Sequence, residues 1–178
     1  LFKPGKGELL GLLDGLLDSE MRTVKKANRS MDAAEKNFRA KEVERARSEL
    51  ERAREILGGM DPKAVSNVDE YRRSIERLSN AYMDMGITAL AIQVIDRLTS
   101  SLPKDLKARK LKVSVLRRSG KTEEALAVLD GTVATWPDDR SSHLLRMEVL
   151  EELKRPDEAM QALLKALERF EPDRGYRF

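Results

Sequence analysis

Apolar residues recur at three- and four-residue intervals along most of the chain, with little strict alternation and no Asn-Gly or Asp-Gly between two alternating runs. That spacing predicts helices and lacks the signal of a hairpin. Three textures follow one another. Residues 1–19 interleave Gly5, Gly7, Gly11 and Gly15 with Leu9, Leu10, Leu12, Leu13, Leu16 and Leu17. Each glycine costs a helix about 1 kcal/mol relative to Ala, so this apolar segment is a poor autonomous helix. Leu10, Leu13, Leu17 and Val24 nonetheless share one helical face, and the segment is expected to gain helicity by docking. Residues 20–58 are polar and helix-rich, and up to Leu57 they contain no Gly or Pro. They read as one long helix or a tight helix pair. Gly58-Gly59-Met60-Asp61-Pro62 then breaks the pattern. Residues 59–71 become a break followed by a helix extension, with Ser66 as the expected N-cap of a helix running towards Met85.

From there the chain repeats with a period of 34: Gly86 and Gly120, Ala91, Ala125 and Ala159, and Pro103 and Pro137 are each one period apart. The units are residues 72–105, 106–139 and 140–173, leaving 174–178 as a tail. Gly86 and Gly120 fall where a unit's first helix should end, because glycine tolerates a left-handed helix cap. Lys154 replaces glycine in the third unit, with Pro156 just after it to open the next helix. Ala91, Ala125 and Ala159 fall where paired helices should approach most closely. Ile95, Leu129 and Leu163 follow on the same face. A further unit is plausible upstream, with Ala46, Leu50 and Ala53 matching Ala91, Ile95 and Leu98 and an 11-residue surplus between Gly58 and Val68.

The pattern resembles the tetratricopeptide repeat, carried here by Ile75, Leu78, Tyr82, Ala91 and Pro103 in the first unit. Leu116, Ala125, Leu129 and Pro137 carry it in the second, and Leu150, Ala159, Leu163 and Ala166 in the third. Lys112, His143 and Arg146 depart from it at positions where the family has bulky apolar residues. The resemblance implies an all-α fold: a right-handed α-solenoid of antiparallel helix pairs with an N-terminal helical extension. It also implies a concave groove, lined by the first helix of each unit, that holds a peptide or amphipathic helix of a protein partner. Carried over position by position, the groove residues are Arg73, Arg77, Asn80 and Met83, then Lys107, Lys110, Leu111 and Ser114, then Leu144 and Leu145. The family's carboxylate clamp is matched only at Asn80, so recognition of an acidic C-terminal tail is not expected.

Charge sharpens this picture. Residues 104–121 hold eight basic side chains and one acid, whereas residues 122–173 hold six basic and thirteen acidic ones. The basic stretch suggests an alternative, an RNA- or anionic-ligand-binding repeat. Against it, Asp84, Arg118 and Glu152, Arg117 and Glu151, and Glu76 and Lys110 stand one period apart. Neighbouring units should therefore neutralise one another, which makes nucleic acid an unlikely partner. Arg73, Arg77 and Lys107 lack such a mate and are the expected contacts to a partner's carboxylates. Leu111 and Leu145 have a second reading, as packing residues in a register slipped by one.

The final helix carries Ala159, Met160, Ala162, Leu163, Leu164, Ala166, Leu167 and Phe170, apolar nearly all round. Met160, Leu164, Leu167 and Phe170 are candidates for self-association into a homo-oligomer, unless Tyr176 and Phe178 fold back over them. Leu9 to Leu17 could cover the first unit, bind a partner or make a peripheral membrane contact.

Composition removes most chemistry. Among 178 residues there is no Cys and one His, His143, which excludes disulfides, cysteine nucleophiles and zinc clusters. His143 is expected to pack inside its unit, and Trp136 to seal a turn between units. Ser119-Gly120-Lys121-Thr122 contains a Gly-Lys-Thr, but Val115 stands where a phosphate loop needs glycine. No catalytic residue, metal or cofactor is expected, and the chain is read as a cytoplasmic, non-enzymatic protein. No stretch has the roughly 18 apolar residues that a membrane span requires.

Overall fold

The computed structural model describes residues 6–170. Among them are eight helices and no strand: α1 (Lys6–Arg39), α2 (Val43–Gly58), α3 (Val68–Asp84), α4 (Thr88–Ser101), α5 (Leu106–Arg118), α6 (Thr122–Thr135), α7 (Arg140–Glu152) and α8 (Pro156–Phe170). Contacts group into two compact units, residues 1–94 and 95–178. The segment from residue 20 to 58 is a helix pair, and no uninterrupted helix runs from Ser19 to Leu57.

One turn geometry recurs four times. Lys41, Gly86, Gly120 and Lys154 are left-handed, with φ of 62°, 73°, 73° and 58°. Each stands five residues before a buried alanine: Ala46, Ala91, Ala125 or Ala159. At each, the following N–H donates to a carbonyl one turn back, from Glu42 to Asn37, Ile87 to Tyr82, Lys121 to Leu116 and Arg155 to Leu150, at 2.8–2.9 Å. The left-handed residue's own N–H donates to Phe38, Met83, Arg117 or Glu151 at 2.9–3.0 Å. This doubly bonded ending satisfies carbonyls that would otherwise have no partner inside the helix. Lys41 therefore does the work of a glycine, which is why no breaker is visible in the sequence there.

A side chain at Gly86 or Gly120 would meet nothing within 4 Å, so conformation and not space selects glycine. A non-glycine residue in this region costs about 1 kcal/mol or more. Lys41→Gly and Lys154→Gly are each expected to raise stability by about 0.5–1 kcal/mol in urea unfolding. A loss of stability in both would contradict the turn assignment.

The core of the first unit is built on the matching alanines and leucines. Ala46, Leu50, Ala53 and Leu57 of α2 are fully buried, as are Val24, Ala27, Met31 and Ala34 of α1. Helix α3 begins one turn earlier than α5 and α7. Asp105 and Asp139 cap α5 and α7, their side chains accepting from the N–H of Ala108 and Ser142 at 3.0 and 2.9 Å. The equivalent residue in α3 is Tyr71, buried, with its hydroxyl donating to the Leu57 carbonyl at 3.2 Å. Capping moves four residues upstream, where Asn67 accepts from the Glu70 N–H at 3.0 Å. The expected cap, Ser66, has a different role: its N–H donates to Glu20 of α1.

Two residues singled out in the sequence are partly covered in the second unit. His143 is only half-buried; its Nε2 lies 2.9 Å from the Pro137 carbonyl and its ring meets Phe170 edge-on at 5.3 Å. The interior position beside it belongs to Ser142, whose hydroxyl bonds Asp139 at 2.6 Å. Trp136, half-buried at the end of α6, carries the Arg109 guanidinium 5.3 Å from its ring. Tyr176 and Phe178 lie outside the described residues.

Residues 6–19 are helical, and Leu9 to Leu17 stand 42–62% exposed, so the leucines do not cover the first unit. A helix already nucleated by the packed stretch from Val24 to Ala34 extends at small cost. No helix among the described residues is long and apolar enough to cross a membrane.

Candidate partner-binding surfaces

In the first unit, α1 and α3 enclose a cavity of about 220 Å³. Its apolar lining comes from Met31, Ala34, Phe38, Leu50, Ala81 and Met85, and its polar lining from Glu35, Arg77, Asn80 and Asp84. Two expected groove residues, Arg77 and Asn80, thus meet two that sequence reasoning did not name, Glu35 and Phe38. Phe38 is 39% exposed at this cavity, enough to touch an incoming apolar side chain. Met83 is half-buried and Arg73 exposed, the latter 3.4 Å from Glu70 on its own helix.

Arg77 does not lack an acid. It pairs with Asp32, approaches Glu35 at 3.8 Å and donates to the Asn28 carbonyl at 3.4 Å. The missed signal was the period itself: with the 11-residue insertion the offset becomes 45, and Asp32 is then the register mate of Arg77. A search at 34 alone could not find it.

In the second unit, α5 and α7 are bridged by charge. Lys110 reaches the Asp139 carboxylate at 2.8 Å and the Ser141 hydroxyl. Arg117 pairs with Glu152 and, at 3.4 Å, with Glu148. The expected mate was Glu151. Glu148 and Glu152 are four residues apart and share a helix face, whereas Glu151 lies on the adjoining one. The Arg117 hydrogen bond holds the Glu152 carboxyl below its ordinary range, outweighing a small burial effect. Burial works against ionisation of Asp139, yet hydrogen bonds from Lys110, Ser142 and Ser141 bring its pKa down to about 2.

Lys112 and Arg146, the two departures from family apolar positions, explain each other. Lys112 meets Asp96 at 2.7 Å and Arg146 meets Asp130 at 2.6 Å. The two pairs are one period apart, so a cation here reaches back to an acid on the second helix of the preceding unit. Such half-exposed pairs contribute about 0–1 kcal/mol each, and the first of them engages one cation of the basic stretch.

Among the remaining groove candidates, Lys107 and Ser114 are exposed, Leu111 and Leu145 half-buried, and Leu144 51% exposed. On α8, Ala159, Ala162 and Ala166 are buried, Met160 is 57% exposed, and Leu164, Leu167 and Phe170 are half-buried. Phe170 is already engaged, by His143 and by the Arg140 guanidinium 5.2 Å from its ring.

Paired helices with recurring left-handed turns, and short alanines between the paired helices, define a helical repeat protein. A sequence profile described as tetratricopeptide repeat matches residues 76–140 and 110–174, together more than half of the chain; the chain belongs to the tetratricopeptide repeat family. None of the curated proteins searched matches it. The fold is similar to that of YrrB, described as a TPR protein with an unusual peptide-binding site. That likeness has 18% identity, 94% of this chain and 84% of that one, and a TM-score of 0.52. It is also similar to MamA of AMB-1, at 17% identity, 80% and 78% coverage and a TM-score of 0.51. The fold is that of a protein–protein interaction scaffold.

Proposed function

We propose that the chain is a non-catalytic scaffold that holds a peptide or amphipathic helix of a protein partner against the first helices of its repeats. The cavity between α1 and α3 carries the reading. Its volume of about 220 Å³ suits one or two apolar side chains, and the polar groups of Arg77, Asn80, Glu35 and Asp84 can orient the backbone beside them. Exposed Leu144 and half-buried Leu111 and Leu145 offer a second apolar contact on α5 and α7.

Charge supports this reading over nucleic-acid binding. Within the basic stretch, Lys110, Lys112, Arg117 and Lys121 each have a carboxylate within 4.0 Å, so few phosphate contacts would come without displacing an internal pair. Met160 with Leu164 and Leu167 supports a secondary role in self-association.

The test is capture of partners from a native lysate of the source cell. Leu111→Glu with Leu144→Glu, and separately Phe38→Asp, are expected to lose captured proteins at least tenfold while leaving helix content unchanged. Retention of all partners by both variants would refute the groove. Binding that falls by orders of magnitude between 50 and 200 mM salt, with nucleic acid in the captured fraction, would favour the anionic reading.

A further inference from the structure

The hydrophobic seam of α1 outruns its partners. Leu10, Leu17, Val24 and Met31 are spaced by seven, and Leu13, Ala27 and Ala34 fall on the companion positions, with Glu20 the one polar residue in that series. From Val24 to Ala34 this seam is buried against α2 and α3. Helix α1 has 34 residues and α2 only 16. Gly59, just after the end of α2, borders the same cleft as Ser19 and Glu20. The remaining dozen residues of α1 extend about 18 Å beyond that point.

Along this arm Leu10, Leu13 and Leu17 continue the stripe, flanked by Leu9, Leu16 and Met21 with Leu12 further round the helix, all 42–62% exposed. Gly7, Gly11 and Gly15 lie on the opposite face together with Asp14 and Asp18. The exposed apolar surface is on the order of 600 Å² per arm, and the stripe with its flanks makes up most of it, so two facing arms bring together close to the roughly 1,000 Å² that a specific interface needs.

We infer that the arm of α1 pairs antiparallel with the arm of a second copy of this chain, about a two-fold axis near Leu13. This deepens the self-association considered above but places it at the opposite end of the chain. In that pairing the partner's arm continues along the seam where α2 stops, so an interface already built from Val24 to Ala34 is prolonged. Leu9 of one copy falls opposite Leu17 of the other. It falls beside the cleft of about 390 Å³ whose apolar lining is Leu17, Met21, Val24 and Val65 and whose charged lining is Glu20, Lys25 and Glu70. A two-fold contact closes on itself and uses one patch twice.

The charge pattern argues against the other occupants. Between Lys6 and Arg22 there are four acids and no base, the reverse of the cationic face that an anionic membrane surface selects. Asp14 and Asp18 lie off the seam, and Glu20, which falls on it, accepts from the Ser66 N–H of its own chain at 3.0 Å.

The chain has no Cys, which makes cross-linking specific. In sedimentation equilibrium at about 5–200 µM of the full chain, the wild type is expected to show twice the monomer mass. Leu13→Asp with Leu17→Asp should halve that mass without altering the far-UV circular dichroism, since both side chains are exposed. Under mild oxidation, Leu13→Cys should cross-link to itself. Leu9→Cys and Leu17→Cys should each stay uncross-linked alone and join when mixed. A monomeric wild type across that range, a dimer that survives the double aspartate variant, or self-linking of Leu9→Cys would overturn the proposal. So would an arm-dependent flotation of the chain with phosphatidylserine vesicles in place of dimerisation. Loss of the groove by the Phe38→Asp test leaves this outcome untouched, so the two readings fail separately.

Discussion

Leu50→Ala is expected to lower the unfolding free energy by about 2–5 kcal/mol, measured by urea denaturation of the intact chain. Leu50 is fully buried in α2, at the position that Ile95 and Leu129 occupy in the later repeats, and it also lines the cavity between α1 and α3. Removing its branched end takes away the transfer energy of three carbons and leaves a void that two rigid helices cannot easily close. Val43, also on α2 but 48% exposed, provides the internal comparison: Val43→Ala should stay within about 0.5 kcal/mol. If both variants unfold alike, the segment from residue 20 to 58 is not a packed repeat.

Asp139 should produce the next largest effect. It caps α7 through the Ser142 N–H at 2.9 Å, bonds the Ser142 hydroxyl at 2.6 Å and pairs with Lys110 at 2.8 Å. Asp139→Ala removes a cap and leaves the fully buried Ser142 with an unmet hydroxyl, for an expected cost of about 1–3 kcal/mol. The acid dependence follows from linkage. The carboxyl ionises near pH 2 when folded, against an ordinary value of 3.8. The unfolded state thus binds its proton first as pH falls, and the contribution is complete above the ordinary value and lost as pH drops through 2. Its size is about 2 kcal/mol. Asp139→Asn, which can still cap but not ionise, should flatten the fall in stability between about pH 4 and 2. A wild type and variant with parallel acid limbs would show that Asp139 is not the group responsible.

The repeat could be read from the sequence wherever a residue type is dictated by geometry. Gly86 and Gly120 stand where φ is positive, and Ala91, Ala125 and Ala159 where two helices touch; both constraints admit few side chains and so leave a mark at fixed spacing. Lys41 satisfies the same backbone requirement with an ordinary residue and left none. The early start of α3 was legible, but its cap was placed one residue upstream: Ser66 and Asn67 are both good caps, and only the fold shows Asn67 accepting from the Glu70 N–H while the Ser66 N–H turns to Glu20. Charge was harder still. Lysine and arginine span several ångströms, so Lys112 pairs 16 residues back with Asp96, and Arg117 chooses Glu148 and Glu152 over the in-register Glu151. An offset of 34 fixes where helices sit and not which tips of long side chains meet. The candidate site shared this limit: Arg77 and Asn80 were found from family positions, whereas Glu35 and Phe38 come from an upstream helix whose register is displaced by the insertion.

The four left-handed turns also differ in what they cost. Gly86 and Gly120, in the middle of the chain, hold their conformation with no steric penalty, whereas Lys41 and Lys154, in the outer helix pairs, each hold about 1 kcal/mol of backbone strain. In a chain of neighbouring repeats, each pair opens against its own intrinsic stability and that of its contacts. Relieving that strain with Lys41→Gly or Lys154→Gly is therefore expected to slow amide exchange in α1 and α2, or in α7 and α8, whereas the turns at Gly86 and Gly120 hold no such strain to relieve.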